Sequence, residues 1–314
     1  MNKPLIVLTG PTAVGKTNLS IKLAKAVNGA IVSADSMQVY RDMNIGTAKI
    51  SLDEMQGVKH YLIDELEPEN DFNVVLFQKL AKNYIDEIYK SGQIPIIVGG
   101  TGFYIQAVLR DIDFTESKED SSFREYLQNI ADTKGADVLH DMLKRIDPAS
   151  AESIHANNVK RVIRAIEYNH QTGQLISQHN EEEKLRKSPY NYAYFVLNDE
   201  RKKLYEKIDK RIDLMLEQGL VDEVTALKNR GLHSDMVSMK GLGYKEILSY
   251  LNGECSLDEA VYILKRDTRH FAKRQLTWFK REEDVIWLNK TDYNYKEEKI
   301  LEYMLDILKN KNII

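Results

Sequence analysis

Several short runs of this chain carry residue types at spacings that can do chemistry. Gly10-Pro11-Thr12-Ala13-Val14-Gly15-Lys16-Thr17 fits G-x-x-x-x-G-K-[ST] at every fixed position. The glycines of such a loop let backbone N–H groups turn inward around phosphate oxygens, and the following helix adds its positive N-terminal end. Lys16 then supplies a point charge and Thr17 a hydroxyl for Mg2+. Asp35 opens the polar stretch Asp35-Ser36-Met37-Gln38. Two roles are open to it: the acid that helps to hold Mg2+ beside the phosphates, or a general base for an incoming nucleophile. Thr101, in Gly99-Gly100-Thr101-Gly102, has only glycines as immediate neighbours. Its hydroxyl either donates to a reacting group or ties down its own turn.

A fourth run is electrostatic. From Lys265 to Arg281 there are seven Lys and Arg against one acid, Asp267, in a chain whose net charge is −4. At 100° per residue Arg266, Arg269, His270, Lys273, Arg274, Lys280 and Arg281 fall within about 80° of one another's centre, and Leu264, Phe271, Trp278 and Phe279 fall opposite. This pattern predicts one helix with an apolar face on a core and a cationic face suited to a row of phosphates. The bland alternative is an ordinary solvated face.

The elements that must position these residues are legible from periodicity. Leu5-Ile6-Val7-Leu8, Ala30-Ile31-Val32-Ser33-Ala34 and Ile94-Pro95-Ile96-Ile97-Val98 are short apolar runs that read as buried parallel strands. A helix is predicted from Lys16 or Thr17 to about Val27. Another should start at an Asn73 cap and end before Gly92, with Phe77, Ala81, Tyr84 and Ile88 at helical spacing. Strands alternating with helices predict a parallel sheet with crossover helices, and the loop pattern sits between the first strand and the first helix as it should. Asp35 then lies at the carboxyl end of a strand, where open sheets place their ligands.

From about Asp113 the texture changes to a polar run, Thr115 to Ser122, followed by charged helical segments without a strand pattern up to Ser188-Pro189. Ala193-Tyr194-Phe195-Val196-Leu197 reads as the chain returning to the sheet. The last third reads as mostly helical, with Gly219 and Gly231 as stops. The fold class is therefore α/β: a P-loop NTPase-like parallel sheet flanked by helices, with an inserted all-helical domain. Residues 1–112 and 198–314 would form the core and 113–197 the insertion.

Composition bounds the function classes. With 314 residues, 43% hydrophobic and 29% charged, this is an ordinary globular chain of about two domains, which excludes a disordered or low-complexity protein. No apolar run approaches the ~18–20 residues that cross a bilayer, so neither a secretion signal nor a membrane anchor is expected. The single cysteine, Cys255, can form no internal disulfide and no zinc site, so a reduced, cytoplasmic setting is expected.

The motifs taken together resemble the tRNA dimethylallyltransferase (tRNA isopentenyltransferase) family. The resemblance is carried by Gly10 to Thr17, by Ser33-Ala34-Asp35-Ser36-Met37-Gln38-Val39-Tyr40-Arg41 with Ile45-Gly46-Thr47-Ala48-Lys49, and by Val98 to Tyr104. Val159 to Glu167, Ile208 to Asp213 and Gly241-Leu242-Gly243-Tyr244-Lys245-Glu246 extend it in order over nearly the whole chain. It implies transfer of a dimethylallyl group from dimethylallyl diphosphate to the exocyclic N6 of the adenosine directly 3′ of the tRNA anticodon, with Mg2+ assisting. It also reinterprets the phosphate loop: the cradle holds a leaving diphosphate.

By matching the family, Asp35 becomes the catalytic base and Thr101 a group near the reacting centre. Ser36, Met37 and Gln38 become RNA contacts around an extruded base, and Arg211 a diphosphate contact. The resemblance places Lys160, Arg161 and Arg164 in a tRNA-binding motif, although Arg164 is also spaced for an ion pair with Glu167. The insertion would grip the anticodon stem, with Arg124 as a contact. Arg269 and Lys273 would extend the tRNA path along the basic helix. One cysteine cannot build the zinc finger of eukaryotic members, so the chain resembles the shorter bacterial form, expected to be a monomer. Two other classes remain open on the residues alone: a small-molecule or nucleoside kinase using the loop on ATP, and a nucleotide-switched RNA-binding protein that needs neither Asp35 nor Thr101.

Overall fold

The computed structural model describes residues 3–114 and 121–314. The chain splits into two compact units, Met1–Leu109 with Pro189–Ile314, and Arg110–Ser188. The first opens with β1 (Lys3–Thr9), α1 (Lys16–Val27), β2 (Gly29–Ala34), α2 (Leu52–Met55), β3 (His60–Tyr61), α3 (Val74–Lys90), β4 (Ile94–Gly99) and α4 (Gly102–Leu109). The second unit holds α5 (Ser121–Lys134), α6 (Ala136–Ile146), α7 (Pro148–Ser153), α8 (Val159–Thr172) and α9 (Ile176–Leu185). The chain then returns through β5 (Tyr190–Asn198), α10 (Arg201–Glu217), α11 (Leu220–Asn229), α12 (Tyr244–Leu251), α13 (Leu257–Phe279), β6 (Val285–Asn289) and α14 (Glu297–Asn310).

The six strands make one parallel sheet in the order β3-β2-β4-β1-β5-β6. Leu5, Ile6, Val7 and Leu8 of β1 are fully buried, as a central strand covered on both faces requires. Around it the sheet is the P-loop NTPase-like α/β architecture that the strand and helix alternation predicts. The Asn73 side chain caps α3 by accepting from the Leu76 N–H at 3.0 Å, and the buried stripe Phe77, Ala81, Ile85 and Ile88 is what that helix sets against the core. Among the described residues no helix is long and apolar enough to cross a membrane.

The expected boundaries shift at both ends of the insertion. The shift is slight at the first, where the division falls after Leu109 and not after 112, and nine residues at the second, where it falls before Pro189 and not before 198. Tyr190 already pairs with Lys3, so residues 190–197 belong to the sheet and not to the insertion. Burial in register with β1 decides this; the tyrosines of Tyr190-Asn191-Tyr192 had masked the strand's first half. The polar run at 115–120 lies outside the described residues. The last third is not wholly helical either: Val285-Ile286-Trp287-Leu288-Asn289 forms the edge strand β6 against β5.

The second unit is held by its own core of Leu127, Leu139, Leu143, Val162, Ile163 and Ile166. The Asp147 carboxylate is buried and accepts from the hydroxyls of Ser150 and Ser177, each at 2.7 Å, which ties α7 to α9. Those bonds hold its carboxyl below its ordinary value against the opposing push of burial.

One interaction in the first unit fixes the loop at residues 44–46. The Glu223 carboxylate on α11 accepts from the N–H groups of Asn44, Ile45 and Gly46, at 2.8, 2.8 and 3.0 Å, and from the Tyr244 hydroxyl at 2.7 Å. A Cβ at Gly46 would lie 2.6 Å from the Tyr244 ring, so only glycine lets the loop approach α12. Glu223→Ala strands three N–H groups and a buried hydroxyl. It is expected to lower the unfolding free energy by about 1–3 kcal/mol, read by urea titration, and unchanged stability would mean that water replaces the carboxylate freely.

Candidate active site

The loop between β1 and α1 has the geometry that its glycines predict. Gly10, Ala13 and Gly15 take φ of 145°, 63° and 97°, and a Cβ at Gly10 would lie 2.2 Å from the Leu197 carbonyl oxygen of β5. The neighbouring strand therefore leaves room there for glycine alone. The Lys16 ammonium lies inside the turn and donates to the carbonyls of Gly10 at 2.9 Å and Pro11 at 2.8 Å. Pro11, Val14 and Gly15 build the frame around it. Behind Gly15 stands a second lysine, Lys290, from the turn after β6: its Nζ is 2.9 Å from where a Gly15 Cβ would be, and the residue is 9% exposed.

Beside the loop lies a cavity of about 500 Å³, lined entirely by the first unit. Thr12, Ala13 and Lys16 enter it from the phosphate loop, Asp35, Ser36 and Met37 from the end of β2, Thr101 from the turn after β4, and Arg211 from α10. Four segments that are distant in sequence converge because β1, β2 and β4 are neighbours in the sheet and all end at the same edge. Asp35 is oriented by its own backbone: the Met37 N–H donates to its Oδ1 at 2.9 Å.

The charges in this cavity are far from their states in water. Burial drives the Lys16 ammonium down to about 7, the nearby Arg211 charge adds to that, and Asp35 works against it. Burial likewise raises the Asp35 carboxyl above its ordinary value, opposed by the Met37 N–H, Lys16 and Arg211. The Arg211 guanidinium is itself disfavoured by burial. Two cations thus share a desolvated space with one carboxylate, and an anion entering it would restore the charge on Lys16.

Not every residue singled out from the sequence meets in this cavity. Gln38 does not line it: the Gln38 Nε2 donates to the carbonyls of Thr47 and Ala48 at 3.3 and 3.2 Å. Thr17 is exposed in the first turn of α1 and lies outside the lining. The expected cationic face of α13 is partly neutralised, because Arg269 pairs with Asp209 at 2.6 Å, Arg266 with Asp267 and Lys265 with Asp213. The first of these ties α13 to α10, the helix that carries Arg211. Lys280 and Arg281 lie beyond the end of α13, and Phe271, expected on the core side, lines the cavity. Lys273 lines a second hollow of about 320 Å³ with Arg201, Lys280 and Trp287.

In the second unit Lys160, Arg161 and Arg164 are exposed on the first turns of α8 and make no ion pair among the described residues. Arg124 takes the partner that spacing had offered to Arg164: its Nε and Nη2 donate to the two oxygens of Glu167 at 2.8 and 2.9 Å. Glu167 is 2% exposed, so this bidentate pair joins α5 to α8 and gives Arg124 a structural task.

Several cavity residues are not set apart from core positions by spacing, although Tyr104 and Ile208 fall inside runs that carry the resemblance. Phe72, Tyr104, Ile208, Met215 and Leu264 form an apolar wall, but in the chain each reads as one more core residue of a helix or loop. Gln275 sits in the basic run and looks like a surface amide, yet it is 6% exposed and lines the same cavity. Only the tertiary fold distinguishes these positions from ordinary packing.

Residues 38–282 match the IPP transferase family. The chain is 64% identical over 312 residues to a tRNA dimethylallyltransferase of Lachnoclostridium phytofermentans, covering 99% of each chain. It is 52% identical over 297 residues to one of Acetivibrio thermocellus, covering 95% of each. Among solved structures it is similar to the tRNA isopentenylpyrophosphate transferase of Bacillus halodurans, with 43% identity, a TM-score of 0.74 and coverage of 99% and 98%. It is also similar to a eukaryotic dimethylallyltransferase acting on tRNA, with 28% identity, a TM-score of 0.82 and coverage of 98% of this chain and 80% of that one. These matches show a prenyltransferase: the chain belongs to the IPP transferase family, the tRNA dimethylallyltransferases.

Proposed function

We infer that this chain transfers the dimethylallyl group of dimethylallyl diphosphate to the exocyclic N6 of the adenosine 3′-adjacent to the anticodon of tRNA, releasing diphosphate. The observation that carries the assignment of roles is the meeting of Lys16, Arg211, Asp35 and Thr101 in one desolvated cavity with an apolar wall. The diphosphate sits against the inward N–H groups of the phosphate loop, with Lys16 and Arg211 as its cations. The five-carbon chain takes the apolar wall, and the extruded adenine approaches Asp35.

The reaction balances as follows. The N6 lone pair forms a bond to C1 of the allyl group, the C1–O bond breaks, and its electron pair leaves on the diphosphate. Negative charge builds on that leaving group, where the loop and the two cations stabilise it. N6 then carries one proton too many, and the Asp35 carboxylate accepts it. Thr101 lines the same space from the turn after β4, within the reach of a donor to the reacting region.

Of the residues present, Thr17 would hold Mg2+ from the first turn of α1, outside the cavity lining, together with oxygens of the substrate. Among the described residues no group of three or more His, Cys, Asp or Glu could cage a metal. The Thr17 hydroxyl together with diphosphate oxygens is the donor set that Mg2+, which keeps several waters, prefers. Bound there, Mg2+ would neutralise charge on the leaving diphosphate. Lys160, Arg161 and Arg164 on α8, with Lys273 and Arg269 on α13, are the cations for the tRNA backbone. Arg269 acts there only at its exposed edge, since Asp209 already holds it.

Incubation with unmodified tRNA, Mg2+ and either labelled dimethylallyl diphosphate or labelled ATP separates this reading from a kinase: label is expected in RNA only from the prenyl donor, and transfer from ATP alone, or from neither, defeats it. Asp35→Asn should lower kcat by ~10² or more and leave tRNA affinity within a few fold, and a full rate in that variant would remove Asp35 from the proton path. Its folded-state shift is upward, so the acid limb of the rate profile should lie above the ordinary carboxylate value of about 3.9. Because Lys16 sits at about 7, dimethylallyl diphosphate binding at pH 8 should take up a proton, measured from the dependence of the calorimetric heat on buffer ionisation. The uptake should vanish in Lys16→Met.

A further inference from the structure

Where β1 and β4 end, their ladder ends too. The last paired residues are Thr9 and Gly99. Beyond them the two chains diverge, one into the phosphate loop and the other into the turn that carries Thr101. Among the described residues no backbone hydrogen bond joins the two segments past this point; the Thr101 N–H donates instead to the Ala34 carbonyl of β2 at 3.2 Å.

A side chain supplies the missing rung. Gln275, on α13, is 6% exposed. Its Oε1 accepts from the Thr12 N–H at 2.9 Å and its Nε2 donates to the Gly100 carbonyl at 3.0 Å. The partners themselves settle which end of the amide is which, since an N–H only donates and a carbonyl only accepts. A primary amide has the hydrogen-bonding groups of a peptide, and here it bridges two strand ends as a peptide of an intervening strand would. Gly100 is glycine for the same reason: a Cβ there would lie 2.2 Å from the Gln275 Nε2. One turn further along α13, a Cβ at Gly102 would lie 2.2 Å from the Trp278 ring. Both glycines that flank Thr101 are thus packed against the same helix.

We propose that Gln275 is a positioning residue for the transfer reaction: its amide sets the distance between the phosphate loop and the Thr101 turn, and so the register of the leaving diphosphate with the attacking base. The proposal rests on the prenyl-transfer reading for its consequence on rate, while the bridge itself is independent of it. The Thr12 N–H is committed to Gln275, which leaves the N–H groups further along the loop to meet phosphate oxygens.

Gln275→Glu and Gln275→Met separate positioning from mere packing. Glutamate keeps the acceptor for Thr12 but can donate to the Gly100 carbonyl only when protonated. Its activity relative to wild type should therefore be lowest at pH 8, down about 10- to 100-fold in kcat, and should recover several fold towards pH 6. Methionine matches the shape without hydrogen bonds, so its relative kcat should be low and flat with pH. The titratable and charged groups lining the same cavity are Lys16, Asp35, Arg211, Lys240, Lys245 and Arg274. Gln275→Met adds no charge beside them, so its ratio shows whether their own titration contributes, and only the pH dependence of Gln275→Glu in excess of it is read as the bridge. The affinity for inorganic diphosphate, measured by calorimetry on the same proteins, should follow the same pattern, with tRNA affinity unchanged. If wild type transfers no prenyl group, the functional reading fails and the diphosphate affinities alone decide the bridge. A flat Gln275→Glu ratio, or folded variants within twofold of wild type in both readouts, overturns the proposal. Should Gln275→Met not fold, the pH dependence of Gln275→Glu decides it alone.

Discussion

Everything at the sheet's carboxyl edge answers to one constraint: two cations and one carboxylate are held out of water in the same cavity. An ammonium without its solvent shell is costly, and Lys16 responds by dropping towards neutrality. The fold tolerates this because the phosphate loop offers the Lys16 Nζ two carbonyls and because Asp35 offsets part of the positive potential. A diphosphate relieves the same imbalance, so binding energy and charge neutralisation are one event. The same field then acts on the bond that breaks, since the negative charge on the leaving group grows where the positive charge is already fixed.

A site of this kind needs its loops held without a sheet ladder, and three polar side chains do so. Glu223 gathers the N–H groups of residues 44–46 with the Tyr244 hydroxyl, which sets the wall of Gly46, Thr47 and Ala48. Gln275 joins the Thr12 N–H to the Gly100 carbonyl. Arg269 joins α13 to α10 through Asp209, so the helix of Gln275 and the helix of Arg211 are fixed to each other. In each case a buried or half-buried polar group satisfies a backbone or charge that the secondary structure leaves over.

Much of the frame was legible in the chain. The bounds of α1 and the Asn73 cap of α3 fell where spacing put them, because glycine-lysine-threonine and asparagine caps act within one turn. The strands β1, β2 and β4 are continuous apolar runs that nothing but a buried strand explains. The strand β6 was missed because five residues at a sheet edge, half-buried, alternate too weakly against the charges before them. The start of β5 was missed because its tyrosines look like surface residues, although they pack at the sheet's amino end. For Arg124 and Arg164 the sequence offered helical spacing, whereas the structure gave Glu167 to a residue forty-three positions away.

What the sequence determined by itself is whatever depends on neighbours within a few residues: the phosphate loop, the helix that follows it, the strand runs and the polar turn that begins at Asp35. These are set by backbone freedom, capping and periodicity, which act locally. Only the tertiary structure decided which of the candidate side chains share a dielectric environment. That choice rests on strand order and on the reach of α10 and α13 across the sheet edge, so it appears when Arg211, Gln275 and the apolar wall close around Lys16 and Asp35. The shifted charges follow from that enclosure, because desolvation is a property of the space around a group and not of its place in the chain.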